Sequence, residues 1–334
     1  MTVADLGEFG LIAAIAARLP PAAAGIIGVG DDAAVLAVPA GRPVATTDLL
    51  IEGRHFRRDW SAPADVGGKA AARNQADVAA MGAVPVALLV GLAAPGDLPV
   101  AWAEGLVDGI AAESARAGAA VVGGDVSSAD TIMIAITALG DLAGRAPVTR
   151  AGARPRDVLA VAGVLGHSAA GQALLTGGLA EPASLVAAYR RPRPEYEAGP
   201  EAADLGATSM IDISDGLVAD LGHVAEASGT GIDIDTARLV PGPDLLAAAA
   251  ALGPASYPSQ GAGAAAGGAP GGAALAPPMS WLLTGGEDHA LAATFPPDAR
   301  LPARWTVLGH VHAGHGVTVD GRPWPGRAGW EHYR

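Results

Sequence analysis

Apolar residues recur at helical spacing at Leu11, Ile12, Ile15, Ala16 and Leu19, and Pro20-Pro21 ends that segment. A short apolar run covers Ala33 to Val38. Val44 to Thr47 then reads as a strand ending at Asp48. Pro63 to Met81 predicts a helix rich in small residues and closed by Gly82. Val86 to Leu92 predicts a buried strand, Leu98 to Arg116 an amphipathic helix with Gly118 past its end, and Thr131 to Leu139 a strand. Ala120-Val121-Val122 leads into Gly123-Gly124-Asp125, which reads as a strand end. Further along, Val158 to Val164 predicts a strand, and Ser168 to Leu175 and Leu179 to Tyr189 predict short helices. Met210 to Ile213 predicts a strand running into Ser214-Asp215-Gly216, and Leu217, Leu221, Val224 and Ala225 form the apolar stripe of the next helix.

This alternation predicts an α/β (α+β) chain with mixed sheets flanked by helices. A boundary falls near Arg145 to Gly152, which suggests units at 1–147 and 148–334. Residues 253–278 are low in complexity, rich in Gly, Ala, Pro and Ser, and predict a flexible surface insertion. Order is expected to resume at Trp281-Leu282-Leu283.

The length of 334 residues suits two domains or one large one. Half the residues are apolar and 16% are charged, so a sizeable core is expected and wholesale disorder is not. The net charge of −13 argues against nucleic acid as a partner, since such binders carry a basic face. The chain has no cysteine, which excludes disulfides, thiolate zinc sites and cysteine nucleophiles. No signal peptide and no membrane span can be read, so the expected setting is cytoplasmic.

The acids fall at informative places. Asp31 and Asp32 follow a Gly-x-Gly turn, Asp48 follows Thr46-Thr47, and Asp125 follows Gly123-Gly124. Asp212 and Asp215 flank Ser214, and Asp77 lies one helical turn after Asn74. Ligand sites of α/β sheets collect at strand ends. Acids converging on one cleft repel one another unless cations lie between them. Magnesium takes oxygen ligands and shares them with substrate phosphates, so the pattern predicts a multi-magnesium phosphate site. Taken singly, these residues have simpler readings. Asp215 could cap the following helix, and Arg73 and Asp77, spaced i,i+4, could pair on a surface. Lys69, the only lysine beside 20 arginines, could equally be a helix surface charge and is given no catalytic role.

Together these residues resemble the thiamine-monophosphate kinase family, within the aminoimidazole ribonucleotide synthetase-like superfamily. The resemblance rests on Asp31-Asp32, Thr46-Thr47-Asp48, Glu52-Gly53-Arg54-His55-Phe56, Lys69 with Asn74 and Asp77, and Gly123-Gly124-Asp125. It continues in Arg150-x-Gly152, Asp212-Ile213-Ser214-Asp215-Gly216, Gly285-Gly286-Glu287-Asp288 and Gly329-Trp330. It implies two α/β domains, a homodimer with a barrel-like interface, and transfer of the ATP γ-phosphoryl group to thiamine monophosphate. By the same likeness Asp32, Thr46, Thr47, Asp48, Asp77, Asp125, Asp212 and Asp215 belong to Mg2+ sites. Gly124, Arg150 and Ser214 contact ATP, and His55, Glu287 and Trp330 contact the acceptor.

The acceptor is a phosphate monoester whose second pKa is about 6, so it is largely ionised at neutral pH and needs no general base or nucleophile from the protein. The chain departs from the family where Ala76-Asp77 replaces Ser-Asp and where His289-Ala290 replaces Tyr-Glu. The second change lies beside Glu287 and bears on the shape of the acceptor pocket.

Overall fold

The computed structural model describes residues 34–35, 41–253, 277–324 and 328–330. The helix read at Leu11–Leu19, the turn carrying Asp32, and most of the insertion at 253–278 lie outside them. Two sheets are present. The first has five strands in the order β1-β2-β5-β3-β4, with β1 at Ala34–Val35, β2 at Pro43–Ile51, β3 at Val84–Ala94, β4 at Ala120–Ser128 and β5 at Met133–Asp141. Its β3 and β4 are parallel and the other pairs antiparallel, so the sheet is mixed as expected.

Helices α1 (Pro63–Ala80) and α2 (Val100–Arg116) cover one face of this sheet. They cross at glycines. A Cβ on Gly67 would lie 2.0 Å from the Leu106 carbonyl oxygen, and one on Gly109 would lie 2.1 Å from that of Ala64. The small-residue composition read from the sequence is therefore what permits this close approach.

Two sequence readings need correction here. Asp48 and Asp125 are not at strand ends, because β2 and β4 run through them. Leu49-Leu50-Ile51 continue the in-and-out alternation, with Leu50 fully buried. Gly124 is a pairing residue and not a turn, since a Cβ there would lie 1.9 Å from the Val90 carbonyl oxygen on the neighbouring strand.

The second sheet has seven strands in the order β12-β11-β8-β10-β6-β9-β7. The strands are β12 (Arg322–Pro323) at one edge, then β11 (Gly316–Val319), β8 (Gly231–Ile234), β10 (Trp305–His312), β6 (Val158–Ala162) and β9 (Leu291–Phe295), with β7 (Ser209–Asp212) at the other edge. Helices α3 (His167–Thr176), α4 (Ala183–Arg190), α6 (Leu217–Ser228), α7 (Pro243–Leu252) and α8 (Pro277–Thr284) pack on one face. On the other face, α5 (Ala198–Asp204) joins a cluster that includes Ala79 and Ala80 of α1. Helix α1 is thus held between the two halves, and 14 of its 18 residues are buried. The helix expected from Leu179 starts later, after Pro182, and α8 begins at Pro277, before Trp281.

Candidate active site

Strand β2 presents Thr46 and Asp48 toward α1, because alternate residues share a face and Leu50 on that face is buried in the core. Thr46 Oγ1 donates to Asp77 Oδ2 of α1 at 2.9 Å. Asp48 Oδ1 accepts from the Leu49 amide at 2.8 Å, and Asp48 Oδ2 accepts from Arg73 Nε at 2.6 Å. Two residues expected beside them point elsewhere. Thr47 lies on the opposite face, where its hydroxyl donates to the Ile136 carbonyl oxygen. Asp125 aligns through Gly91 and Ala135 with Leu49 and so shares that same face. Gly124 is three strands from Asp48, about 14 Å at ordinary strand spacing.

The second half contributes the loop between α8 and β9, which packs backbone to backbone on the turn after β7. The Glu287 amide donates to the Ser214 carbonyl at 2.8 Å and the His289 amide to that of Ile213 at 2.9 Å. A Cβ on Gly286 would lie 2.3 Å from the Ser214 carbonyl oxygen, so glycine is required there. Glu287 and His289 are non-glycine residues with φ of 70° and 54°. Such left-handed backbone costs of order 1–3 kcal/mol per residue and concentrates at functional loops.

The carboxylate of Glu287 returns to α1. Its Oε1 accepts from Arg73 Nη1 at 2.8 Å, and its Oε2 lies 2.6 Å from Lys69 Nζ. Lys69 Nζ also lies 4.2 Å from the Tyr189 ring centroid. Lys69 and Arg73 are therefore not surface charges. Both are buried where the second half covers α1, and the hydrogen bonds of Arg73 go to Asp48 and Glu287 and not to Asp77. Burial lowers the pKa of Lys69 despite the opposing attraction of Glu287. Burial also opposes the charge of Arg73, but Asp48 and Glu287 outweigh it and raise its pKa. Burial opposes the charge of Glu287 as well, and Lys69 and Arg73 outweigh that and hold it below the usual carboxylate range. Sequence reading missed both cations as site residues. The i,i+4 spacing of Lys69 and Arg73 on one helix face was the available signal.

At the end of β7, Asp212 Oδ2 lies 2.9 Å from His289 Nδ1, and both side chains are buried. The His289 ring thus turns inward toward Asp212. At the start of α6, Asp220 Oδ2 accepts from the amides of Asp215 and Gly216, both at 3.0 Å. Burial, with Asp215 and Asp212 close by, pushes the Asp220 carboxyl well above its ordinary range. Trp330 joins this end by donating its amide to the Asp215 carbonyl at 3.0 Å.

His55 lies in the turn after β2, where its Nδ1 accepts from the Ile51 amide at 3.0 Å. Arg150 lies near the far end of α6, its carbonyl accepting from Ser228 Oγ at 3.0 Å. Twelve helical residues, about 18 Å, separate that end from Ser214. Asp32 lies outside the described residues.

The donor set is hard oxygen, which suits magnesium. Among the described residues no three His, Asp or Glu side chains gather into a ready-made metal cage. Magnesium ordinarily binds through one or two carboxylates and completes its shell with water and substrate phosphate, so the arrangement fits that mode. Repulsion among Asp212, Asp215 and Asp220 is also of the kind a cation relieves.

The family model "AIR synthase related protein, N-terminal domain" matches residues 30–142. The chain is 46% identical to the thiamine-monophosphate kinase of Mycobacterium tuberculosis, over 99% of this chain and 93% of that one. It is 39% identical to that of Corynebacterium glutamicum, over 99% and 95%. Among solved structures, AaThiL complexed with AMPPCP and TMP superposes with a TM-score of 0.86 at 34% identity, covering 99% of both chains.

Proposed function

The chain belongs to the thiamine-monophosphate kinase family, and from that premise we propose that it transfers the γ-phosphoryl group of ATP directly to thiamine monophosphate. A phosphate oxygen of the acceptor attacks the γ-phosphorus in line. The bond from that phosphorus to the β–γ bridging oxygen breaks, and thiamine diphosphate and ADP are formed. This is the last step in making thiamine diphosphate. The acceptor is already ionised, so no side chain has to remove a proton.

What the protein supplies is position and charge. Asp48, Thr46 and Asp77 would hold magnesium on the first half, and Asp212 and Asp215 on the second, with Asp32, Thr47 and Asp125 as further candidates. Bound magnesium supplies charge neutralisation on the phosphates and on the transferring group. Ser214, Gly124 and Arg150 are proposed for ATP, and His55, Glu287 and Trp330 for the acceptor. The observation that supports this division is Arg73, which joins Asp48 of the proposed metal site to Glu287 of the proposed acceptor site.

On this reading residues 1–147 form the ATP- and magnesium-binding unit that also dimerises, and 148–334 form the C-terminal unit. A homodimer is supported by the sheet face opposite α1 and α2, where Leu49, Leu89 and Met133 are 43%, 42% and 37% exposed. A cytoplasmic setting follows from the proposed substrates, and no described helix is long and apolar enough to cross a membrane.

The test is chromatography of thiamine monophosphate incubated with the protein, ATP and magnesium, beside an EDTA control. Thiamine diphosphate is expected only with magnesium. Its absence with folded protein would overturn the proposal.

A further inference from the structure

We propose that Arg73 couples acceptor binding to nucleotide binding across the two halves, by holding Asp48 and Glu287 and by serving the acceptor as a donor. The inference rests on the kinase reading above. Arg73 reaches Asp48 on β2 through Nε and Glu287 through Nη1, at 2.6 and 2.8 Å, with its side chain 9% exposed. Lys69 holds the other oxygen of Glu287 at 2.6 Å with its side chain 2% exposed. Two cations thus face two carboxylates, and both oxygens of Glu287 are occupied. Glu287 is therefore not a bare counter-ion waiting for a cationic ring. It is one end of a bridge whose other end is a carboxylate facing the phosphate site.

Arg73 holds Asp48 through Oδ2 alone, while Oδ1 is held by the Leu49 amide. A cation brought by the nucleotide and held by Asp48 would compete with the Arg73 Nε–H for that carboxylate and so free this charged donor for a phosphate oxygen of the acceptor, while Nη1 would keep Glu287 in place. Guanidinium suits this because its donors are fixed in one plane and can serve two acceptors at once. A lysine keeps the charge but concentrates it on one nitrogen and cannot span both carboxylates.

The experiment is calorimetric titration of thiamine monophosphate into the full chain, with and without magnesium and a non-hydrolysable ATP analogue. In the wild type the nucleotide is expected to tighten acceptor binding at least about fivefold, the lower end of ordinary coupling. In both Arg73→Met and Arg73→Lys that ratio should fall to about one. If Arg73→Met fails to fold, as judged by far-UV circular dichroism, Arg73→Lys carries the test. An unchanged ratio in the folded variants, or no coupling in the wild type, overturns the proposal. A wild type that neither binds nor converts thiamine monophosphate overturns the kinase reading as well. Turnover by the wild type with coupling intact in the variants overturns the coupling alone.

Discussion

The backbone amide of Trp330 donates to the carbonyl of Asp215 at 3.0 Å, which ties the C-terminal segment to the turn after β7. Gly329 permits this, since a Cβ there would lie 2.3 Å from the same carbonyl oxygen. Trp330 is half-buried. An aromatic face beside the acceptor's cationic ring is worth about 0.5–2 kcal/mol. Trp330→Ala should therefore raise the KM for thiamine monophosphate roughly two- to thirtyfold and leave the KM for ATP nearly unchanged. Steady-state kinetics with each substrate varied checks this. Equal changes in both values would contradict an acceptor role.

The buried carboxylate of Asp288 caps helix α3 from a distant part of the chain. It accepts from the amides of Gly166 and Ser168 at 2.6 and 2.7 Å. Asp288→Ala leaves both donors unsatisfied and should cost about 1–3 kcal/mol per group, visible as a lower urea midpoint. Burial pushes the Asp288 pKa up to about 7, against the opposing pull of the two amides. A carboxyl raised in the folded state stabilises most below its unfolded pKa, near 4, and loses that contribution as pH rises toward 7. The stability of the wild type relative to Asp288→Asn should thus decline between about pH 4 and pH 7. Urea unfolding across that range would show it, and an increasing advantage would refute the shift.

Much of the fold is legible in the sequence. The long small-residue helix at Pro63–Ala80 and the strands around it follow from periodicity. The places of Asp48 and Asp125 do not, because Gly and Asp read as turn signals, while here Gly124 lets two strands approach. Lys69 and Arg73 are illegible for a different reason. Charges at i,i+4 on a helix ordinarily face water. Tyr189 of α4 and a loop 214 residues away from Arg73 pack over them, and the loop supplies Glu287. The family motifs gave the acids, Lys69 and Glu287, but not the contacts that join them.

Leu89 lies on the sheet face that no described helix covers, level with Thr137 and in the row that also holds Thr47. If two copies join through this face, a charge at its centre should separate them without disturbing the core behind it. Leu89→Arg is expected to halve the mass measured by light scattering, with the far-UV spectrum unchanged. A wild type that is monomeric, or a variant that remains dimeric, would place the interface elsewhere.

The buried ring of His289 contacts Asp212 and not the solvent side of the loop. With Asp212 accepting, Nδ1 carries the hydrogen, a tautomer inferred from the partner. This contact fixes the orientation of a carboxylate that also lies close to Asp220. Partners that orient a metal-binding carboxylate typically affect metal affinity or activity by about 10–100-fold when removed. His289→Leu should therefore raise the magnesium concentration needed for half-maximal activity by about tenfold or more. His289→Asn, which keeps an N–H donor at similar reach, should recover part of the loss. Magnesium titrations of the three proteins at saturating ATP test both statements. A magnesium dependence identical in all three would show that Asp212 is held by its strand alone.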